Sequence, residues 1–175
     1  MGMIEELRDL KVSSSEDNLR IKEEIKRRLY QNPKIIYLLN NPDLSPDAPD
    51  EYVGVNIRPS LIVPTTQSTP MNYICYKSDF GSISDSNSFI KYGQVIFVVL
   101  CEQSTLIEKK VGAARHDLIA ALIRRIFNYT NIFGNQLILV SDKEATTDTN
   151  YAIRTLTFEM KTPNNVTKDG RVINK

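Results

Sequence analysis

The longest amphipathic pattern in the chain lies at residues 111–128, with the sequence VGAARHDLIAALIRRIFN. Its apolar residues recur at intervals of three and four, which places them on one face of a helix. These residues are Leu118, Ile119, Leu122, Ile123, Ile126 and Phe127. Alanines add helix propensity, and no proline or glycine interrupts the run after Gly112. The pattern predicts one long helix from Val111 to Asn128.

Runs typical of β-strands stand on both sides of this helix. Residues 94–102 (QVIFVVLCE) are apolar at almost every position, which predicts a central strand covered on both faces. Strands are also predicted at 52–64 and 71–77 before the helix, and at 136–141 and 151–160 after it. The fold prediction is α+β: a mixed, largely antiparallel sheet of about four to five strands, packed by a long central helix.

The N-terminal part of the chain carries two further helical patterns. Ser13 and Glu16 have the spacing of a capping box, and the residues after them show an apolar face. That face consists of Ile21, Ile25 and Leu29. Pro33 ends this helix and occupies the first position of a short second helix that reaches Asn40. The predicted fold therefore has an N-terminal helical segment.

The polar stretches divide the chain into an arm, one domain and a tail. Residues 1–12 are predicted to form an N-terminal arm, residues 13–161 a single domain, and residues 162–175 a tail with the composition of a frayed terminus. Loops are expected where serine, aspartate, proline and glycine cluster. The predicted loops are 41–51, 78–88, 103–110 and 142–150.

The charge balance narrows the class of partner. The chain has 175 residues, with 22 lysines and arginines against 21 acidic residues, so its net charge is only +1. This balance does not favour a polyanionic partner or a membrane surface. No apolar run is long enough to cross a bilayer, and the first residues lack the core of a signal peptide. We expect a soluble protein.

The residues that usually carry chemistry are scarce. His116 is the only histidine, and Asp117 next to it points in a different direction on a helix, so a helix-terminal role is favoured over catalysis. Cys75 and Cys101 lie in apolar runs without CxxC spacing, which favours two buried thiols, although a disulfide stays open. Neither a phosphate-binding glycine loop nor a metal-ligand cluster is present. We predict no enzymatic activity, cofactor or metal.

The predicted order of elements is helix, short helix, strand, strand, long strand, helix, strand, strand. This order resembles that of the tail-terminator and tail-to-head joining (tail completion) proteins of long-tailed bacteriophages. The local sequences that carry the resemblance are IRPSLIVP, GQVIFVVLCE, ARHDLIAALIRRIFN and FGNQLILVSDKEATTDTNYAIRTLTFEM. The resemblance covers residues 14–161 and is one of pattern, with no catalytic signature.

The resemblance implies a structural virion protein in the neck and tail, assembled in the host cytoplasm. Its subunits would form a ring, commonly a hexamer, that terminates the tail tube. The partners implied are a second copy of the chain, the tube protein and the head connector, while DNA passes through the lumen without specific binding. The fold would have no enzymatic role and no membrane contact.

Partner contacts are expected at basic positions of the central helix and in the polar loop that follows the next strand. The predicted contact residues are Arg115, Arg124, Arg125, Asp142, Lys143, Glu144 and Asp148. A head-completion or neck adaptor protein is the alternative within the same class. From a different class, a small-molecule-binding regulatory domain with its ligand under the helix stays open, as does an enzyme that uses carboxylates.

Overall fold

The structure is a computed structural model that describes residues 2–12, 17–61, 71–84, 87–131, 133, 135–146, 150–163, 166–168 and 171–173. Its helices are α1 (Met3–Val12), α2 (Asp17–Tyr30), α3 (Pro33–Leu39) and α4 (Arg115–Phe127), with short 3-10 turns at Pro49–Tyr52 and Gln103–Thr105. Its strands are β1 (Ile57–Arg58), β2 (Tyr73–Ser84), β3 (Asn87–Glu102), β4 (Ile107–Glu108), β5 (Ala113–Ala114), β6 (Ile138–Thr146), β7 (Tyr151–Pro163), β8 (Val166–Lys168) and β9 (Arg171–Ile173).

One five-stranded sheet forms the centre of the protein, with the strand order β1-β2-β3-β7-β6. The β1–β2 pair is parallel, and the other three pairs are antiparallel. Two two-stranded hairpins, β4–β5 and β8–β9, accompany it. The α+β prediction with a mixed, largely antiparallel sheet is therefore confirmed.

The helices lie on one face of the sheet only. On β3, buried residues alternate with half-exposed ones, so that Val95, Phe97, Val99 and Cys101 face the helices. The prediction that β3 is covered on both faces is wrong, because its second face (Ile96, Val98 and Leu100) stays half-exposed. An apolar run cannot by itself distinguish a doubly covered strand from one that has an apolar outer face.

The core lies between α4 and the inner face of the sheet. The Phe97 ring lies 5.0 Å from that of Phe127 on α4 and 5.7 Å from that of Phe158 on β7, the latter edge-to-face. All three rings are fully buried. α2 completes the layer over β2, where the hydroxyl of Tyr76 donates to the carbonyl oxygen of Lys22. This cluster joins both halves of the chain.

The central helix begins four residues later than predicted. Residues 107–108 and 113–114 pair as the β4–β5 hairpin, and Gly112 in its turn adopts a φ of +72°, which favours glycine. The helix therefore begins at Arg115 and ends at Phe127. The short helix at Pro33 is confirmed, since the Asn32 side chain accepts from the backbone N–H groups of Lys34 and Ile35. The predicted capping box at Ser13 lies outside the described residues.

Two loop predictions are wrong for a shared reason. Residues 78–84 and 87–88 belong to the β2–β3 hairpin, and residues 142–146 continue β6, because cross-strand pairing outweighs polar composition. The tail contains the β8–β9 hairpin. In contrast, the predicted strand at 52–64 shrinks to Ile57–Arg58, because Gly54 turns the chain with a φ of +83°.

No helix in the described part of the chain combines the length and apolarity of a membrane span.

The two cysteines cannot form a disulfide in this fold. Cys75 pairs in register with Val98, whose side chain lies on the opposite face of β3 from Cys101. Both thiols are free and buried. The preference for two buried thiols over a disulfide is thus confirmed.

Truncation of the central ring tests the one-sided core. We expect Phe97→Ala to lower the free energy of unfolding by about 3–5 kcal/mol, because it leaves a cavity among buried rings. Ile96→Ala, at the next position but on the half-exposed face, should cost about 1 kcal/mol or less. Urea unfolding monitored by circular dichroism measures both variants. Equal losses would contradict one-sided packing.

Candidate functional site

A charged network joins the start of α4 to β6 and β7, and it contains several of the predicted contact residues. Arg154 on β7 lies at its centre. Its Nε is 2.5 Å from Oδ1 of Asp142, and its Nη1 is 2.8 Å from Oδ1 of Asp117 and 3.7 Å from Oε2 of Glu144. Arg124 reaches the other oxygen of Asp142 at 3.1 Å. Two arginines thus hold three carboxylates at the edge of the sheet.

The hydrogen bond to Asp142 is the main cause that raises the pKa of the Arg154 guanidinium above its ordinary value. Arg154 therefore stays charged at every pH at which the protein is folded. Its side chain and that of Asp142 are largely shielded from water, while Asp117 and Glu144 are about half exposed. The network is accordingly a partly solvated patch with a shielded centre.

His116 joins this network from the buried side. Its Nε2 lies 3.3 Å from Oε1 of Glu144 and 3.7 Å from Oδ1 of Asp117. The ring is 2% exposed, and its Nδ1 has no hydrogen-bond partner among the described residues. Sequence reasoning missed Glu144 as a partner because a predicted loop gave it no fixed position.

The His116, Asp117 and Glu144 ligand atoms lie within 4.8 Å of one another, a spacing that a metal ion could bridge. The guanidinium of Arg154, however, already contacts both carboxylates. A cation at this position would meet that positive charge or have to displace it. The arrangement therefore fits a structural patch of paired charges better than a metal centre.

The thiols are poorly suited to nucleophilic chemistry. Burial raises the pKa of Cys75 to about 11 and that of Cys101 to about 12. Both side chains are therefore protonated at neutral pH, and the thiolate is the nucleophilic form.

Arg115 has a different environment from the other predicted arginines. It is buried, with Nη2 2.5 Å from Oε2 of Glu108 and Nη1 donating to the carbonyl oxygen of Leu38 at 3.3 Å. It ties α4 to β4 and α3 within one chain. The interpretation that Arg115 shares a free basic face with Arg124 and Arg125 is wrong, because the helix begins at Arg115 and turns that residue inward.

The remaining predicted contact residues are more exposed. Lys143 lies on the edge strand β6, and Arg125 lies on the outer side of α4. Asp148 lies outside the described residues. The residue that sequence reasoning missed altogether is Arg154. It is the one charged residue among Ala152, Leu156 and Phe158 on the inward face of β7, and a charge at such a position predicts a buried partner.

A surface groove runs between α3 and α4. It has a volume of about 500 Å³, and its lining is mainly apolar. Its walls include Tyr37, Val111, Leu118, Ala121 and Leu122, with Lys34 and Arg125 at its rim. A more polar hollow of about 560 Å³ adjoins it, with Arg27 and Arg28 in its lining.

The outer face of the sheet forms a second exposed apolar surface. Tyr92, Ile138 and Val140 are 40%, 40% and 50% exposed, large fractions for side chains of this kind. They line a shallow hollow of about 340 Å³ at the β6 side of the sheet. Ile96, Val98 and Leu100 continue this face with half-exposed side chains.

These surfaces define a class: a small α+β protein with a one-sided sheet, an edge of paired charges and two exposed apolar areas. The model of the YomW family matches residues 23–160, more than three quarters of the chain. The chain therefore belongs to the YomW family, whose name derives from a gene of an SPbeta-like Bacillus phage and indicates a phage protein. No curated protein matches the chain.

Removal of the central arginine tests the charged network. We expect Arg154→Gln to lower the free energy of unfolding by about 1–3 kcal/mol, because it leaves Asp117, Asp142 and Glu144 close together without their shared cation. Lys143→Gln removes an exposed charge from the adjacent strand and should change stability by about 0.5 kcal/mol or less. Urea unfolding at low and high salt measures both. A neutral Arg154→Gln would show that the network does not hold β6 to α4.

The Glu108 carboxylate makes the stability of the fold depend on pH. The hydrogen bond from the backbone N–H of Lys110 is the first cause that lowers its pKa, and the Arg115 guanidinium adds to it, while burial opposes both. Because the folded-state pKa lies below the ordinary value of 4.5, the ionised carboxylate stabilises the fold above that pH. This contribution is lost as the pH falls through the folded-state value.

We therefore expect Glu108→Gln to lose less stability than the unsubstituted chain between about pH 5 and about pH 3. Chemical unfolding at several pH values in this window measures the difference. Lys109→Gln, which changes an exposed neighbour and keeps the carboxylate, serves as the control and should follow the unsubstituted chain. Identical pH profiles for Glu108→Gln and the unsubstituted chain would contradict the assignment.

Proposed function

We propose that this protein is a structural virion protein that forms a ring at the head-proximal end of a phage tail. In this role it terminates the tail tube and joins it to the head connector. Membership of a family with a phage-derived name supports a phage protein, and the predicted order of elements supports the tail terminator as its role. The observation that carries the proposal is the sheet, whose outer face is exposed at the β6 side and which ends in a partly apolar edge strand.

The edge strand β6 has two unlike halves. Its first part exposes Ile138 and Val140, whereas its second part carries Asp142, Lys143 and Glu144. Charges on an edge strand discourage pairing with a further strand, while an exposed apolar edge favours contact. The apolar half and the adjoining outer face are therefore the surfaces that we assign to the subunit contact.

Such a contact joins unlike surfaces. The helices cover the inner face of the sheet, whereas the outer face is exposed at its β6 side, so that each subunit presents a helical side and a sheet side. A head-to-tail contact between two different surfaces closes into a ring when its rotation allows. Rotational closure also removes free apolar surface from every subunit, whereas an open chain of subunits leaves it exposed at both ends.

In this role the protein positions its partners and neither makes nor breaks covalent bonds. The tube protein and the head connector would bind opposite rims of the ring, and DNA would pass through the lumen without specific contacts. A near-neutral subunit suits this passage, because strong phosphate contacts would retard the DNA. The alternative of a ligand beneath the central helix finds little support, since Phe97, Phe127 and Phe158 fill that space.

Substitution on the apolar edge tests the proposal. We expect Val140→Glu to leave the monomer folded, because the side chain is half exposed, and to abolish ring formation through burial of an unpaired charge at the contact. Size-exclusion chromatography with light scattering measures the mass, and electron microscopy of tails assembled in a complementation assay measures tail length.

Leu19→Glu is the matched control, since Leu19 is 39% exposed but lies on the helical side of the subunit. It should keep the ring and normal tails. A monomer at all concentrations that also fails to cap tubes, or rings that tolerate Val140→Glu, would overturn the proposed contact.

A further inference from the structure

Over residues 3–9, where its burial is described, the N-terminal helix α1 lacks the packing that ordinarily stabilises a helix. These residues are all exposed, and Met3, Ile4 and Leu7 are 75%, 60% and 53% exposed. α1 has 10 residues, and an isolated helix shorter than about 12–15 residues is only marginally stable in water. A surface outside its own subunit would supply the missing apolar contact.

The exposed side chains of α1 form an ordered pattern. Met3 and Leu7 are four residues apart and therefore lie one above the other, with Ile4 at the side of the same stripe. The other positions around the helix carry three acidic residues, Glu5, Glu6 and Asp9, and two basic ones, Arg8 and Lys11, which gives α1 a net charge of −1. α1 thus offers an apolar stripe next to negative charge.

The groove between α3 and α4 has the complementary character. Leu118, Leu122 and Arg125 follow one another at i, i+4 and i+7 on α4, which gives the groove wall a length of about 10 Å. This length accommodates two turns of a helix such as α1, and docking of an apolar helix face in a groove is a common mode of recognition. Tyr37 and Val111, 47% and 61% exposed, flank the opening.

The charges at the groove rim also match. Lys34 and Arg125 are exposed, and neither belongs to an ion pair within the described part of the chain. The adjoining hollow adds Arg27 and Arg28, which share Glu24 as their partner. Acidic side chains on α1 would face these cations, which orients the helix and steers association more than it adds affinity.

We propose that α1 of one copy docks in the α3–α4 groove of a second copy. Within its own subunit α1 makes its contacts chiefly with α2, so its apolar stripe is left for another chain. Each copy has one such helix and one such groove, and the contact is therefore head-to-tail and able to close. This inference rests on the proposed function in one respect, since both require self-association of the chain. The contact itself is distinct from the one at the sheet edge.

Intermolecular disulfide trapping tests the docking. Leu7→Cys places a thiol on the stripe of α1, and Ala121→Cys places one in the groove at an exposed position. Equal amounts of the two single variants, given distinguishable tags, are mixed and oxidised. The natural thiols stay buried and protonated, so they do not compete. We expect a mixed disulfide dimer as the main product on a non-reducing gel.

The matched control pairs Leu7→Cys with Ala145→Cys, an exposed alanine on the edge strand β6. This pair should give at least about tenfold less mixed dimer than the groove pair. Equal yields from the two pairs, or no mixed dimer in either, would overturn the docking. A chain that carries both Leu7→Cys and Ala121→Cys and forms only an intramolecular disulfide would also overturn it. That result would show docking of α1 in the groove of the same copy.

Light scattering separates this inference from the proposed ring. Ile4→Ser together with Leu7→Ser should weaken self-association by about tenfold or more, because two apolar side chains lose their burial. Rings that keep their mass and stability in this double variant would overturn the docking and leave the proposed function standing. Two results together would support the docking and overturn the proposed sheet-edge contact. These are disulfide trapping that is specific to the groove pair and rings that still form in the Val140→Glu variant.

Discussion

The fold depends on one contact, that between the apolar face of α4 and the inner face of the sheet. Phe97 lies at the middle of the central strand, and the rings of Phe127 and Phe158 meet it from α4 and β7. Through this contact the antiparallel strands on both sides of α4 in the sequence become one sheet. Because both helical layers use the same face, the opposite face keeps exposed apolar side chains at its β6 side.

Charge pairing completes the architecture where apolar packing ends. The buried Arg115–Glu108 pair holds the beginning of α4 to the β4–β5 hairpin, and Arg154 holds α4 to the edge strand β6. Each of the carboxylates involved contacts at least one guanidinium. Breaking such a pair is costly because it leaves an uncompensated charge, whereas the intact pair contributes little net stability. These residues position α4, β4 and β6 relative to one another.

Much of the fold follows from patterns visible in the chain. The intervals of three and four in α4 and the alternation in β7 predict those elements because their apolar faces are continuous. The predictions failed where polar residues form strands, as in Asp79 of β2 and Lys143 of β6, since pairing with a neighbour stabilises a strand whatever its composition. Of the site, the acidic residues of β6 and Arg124 were predicted, whereas the link from His116 to Glu144 was missed because those residues are 28 positions apart.

The sequence by itself determined the α+β class, the central position of β3 and the amphipathic character of α4, because periodic burial is a local property. Only the tertiary structure decided which face of the sheet the helices cover, that Arg115 turns inward, that residues 3–9 of α1 are exposed, and that an apolar groove lies between α3 and α4. Those features depend on the packing of segments distant in the chain, and such packing leaves no periodic signal in the residues themselves.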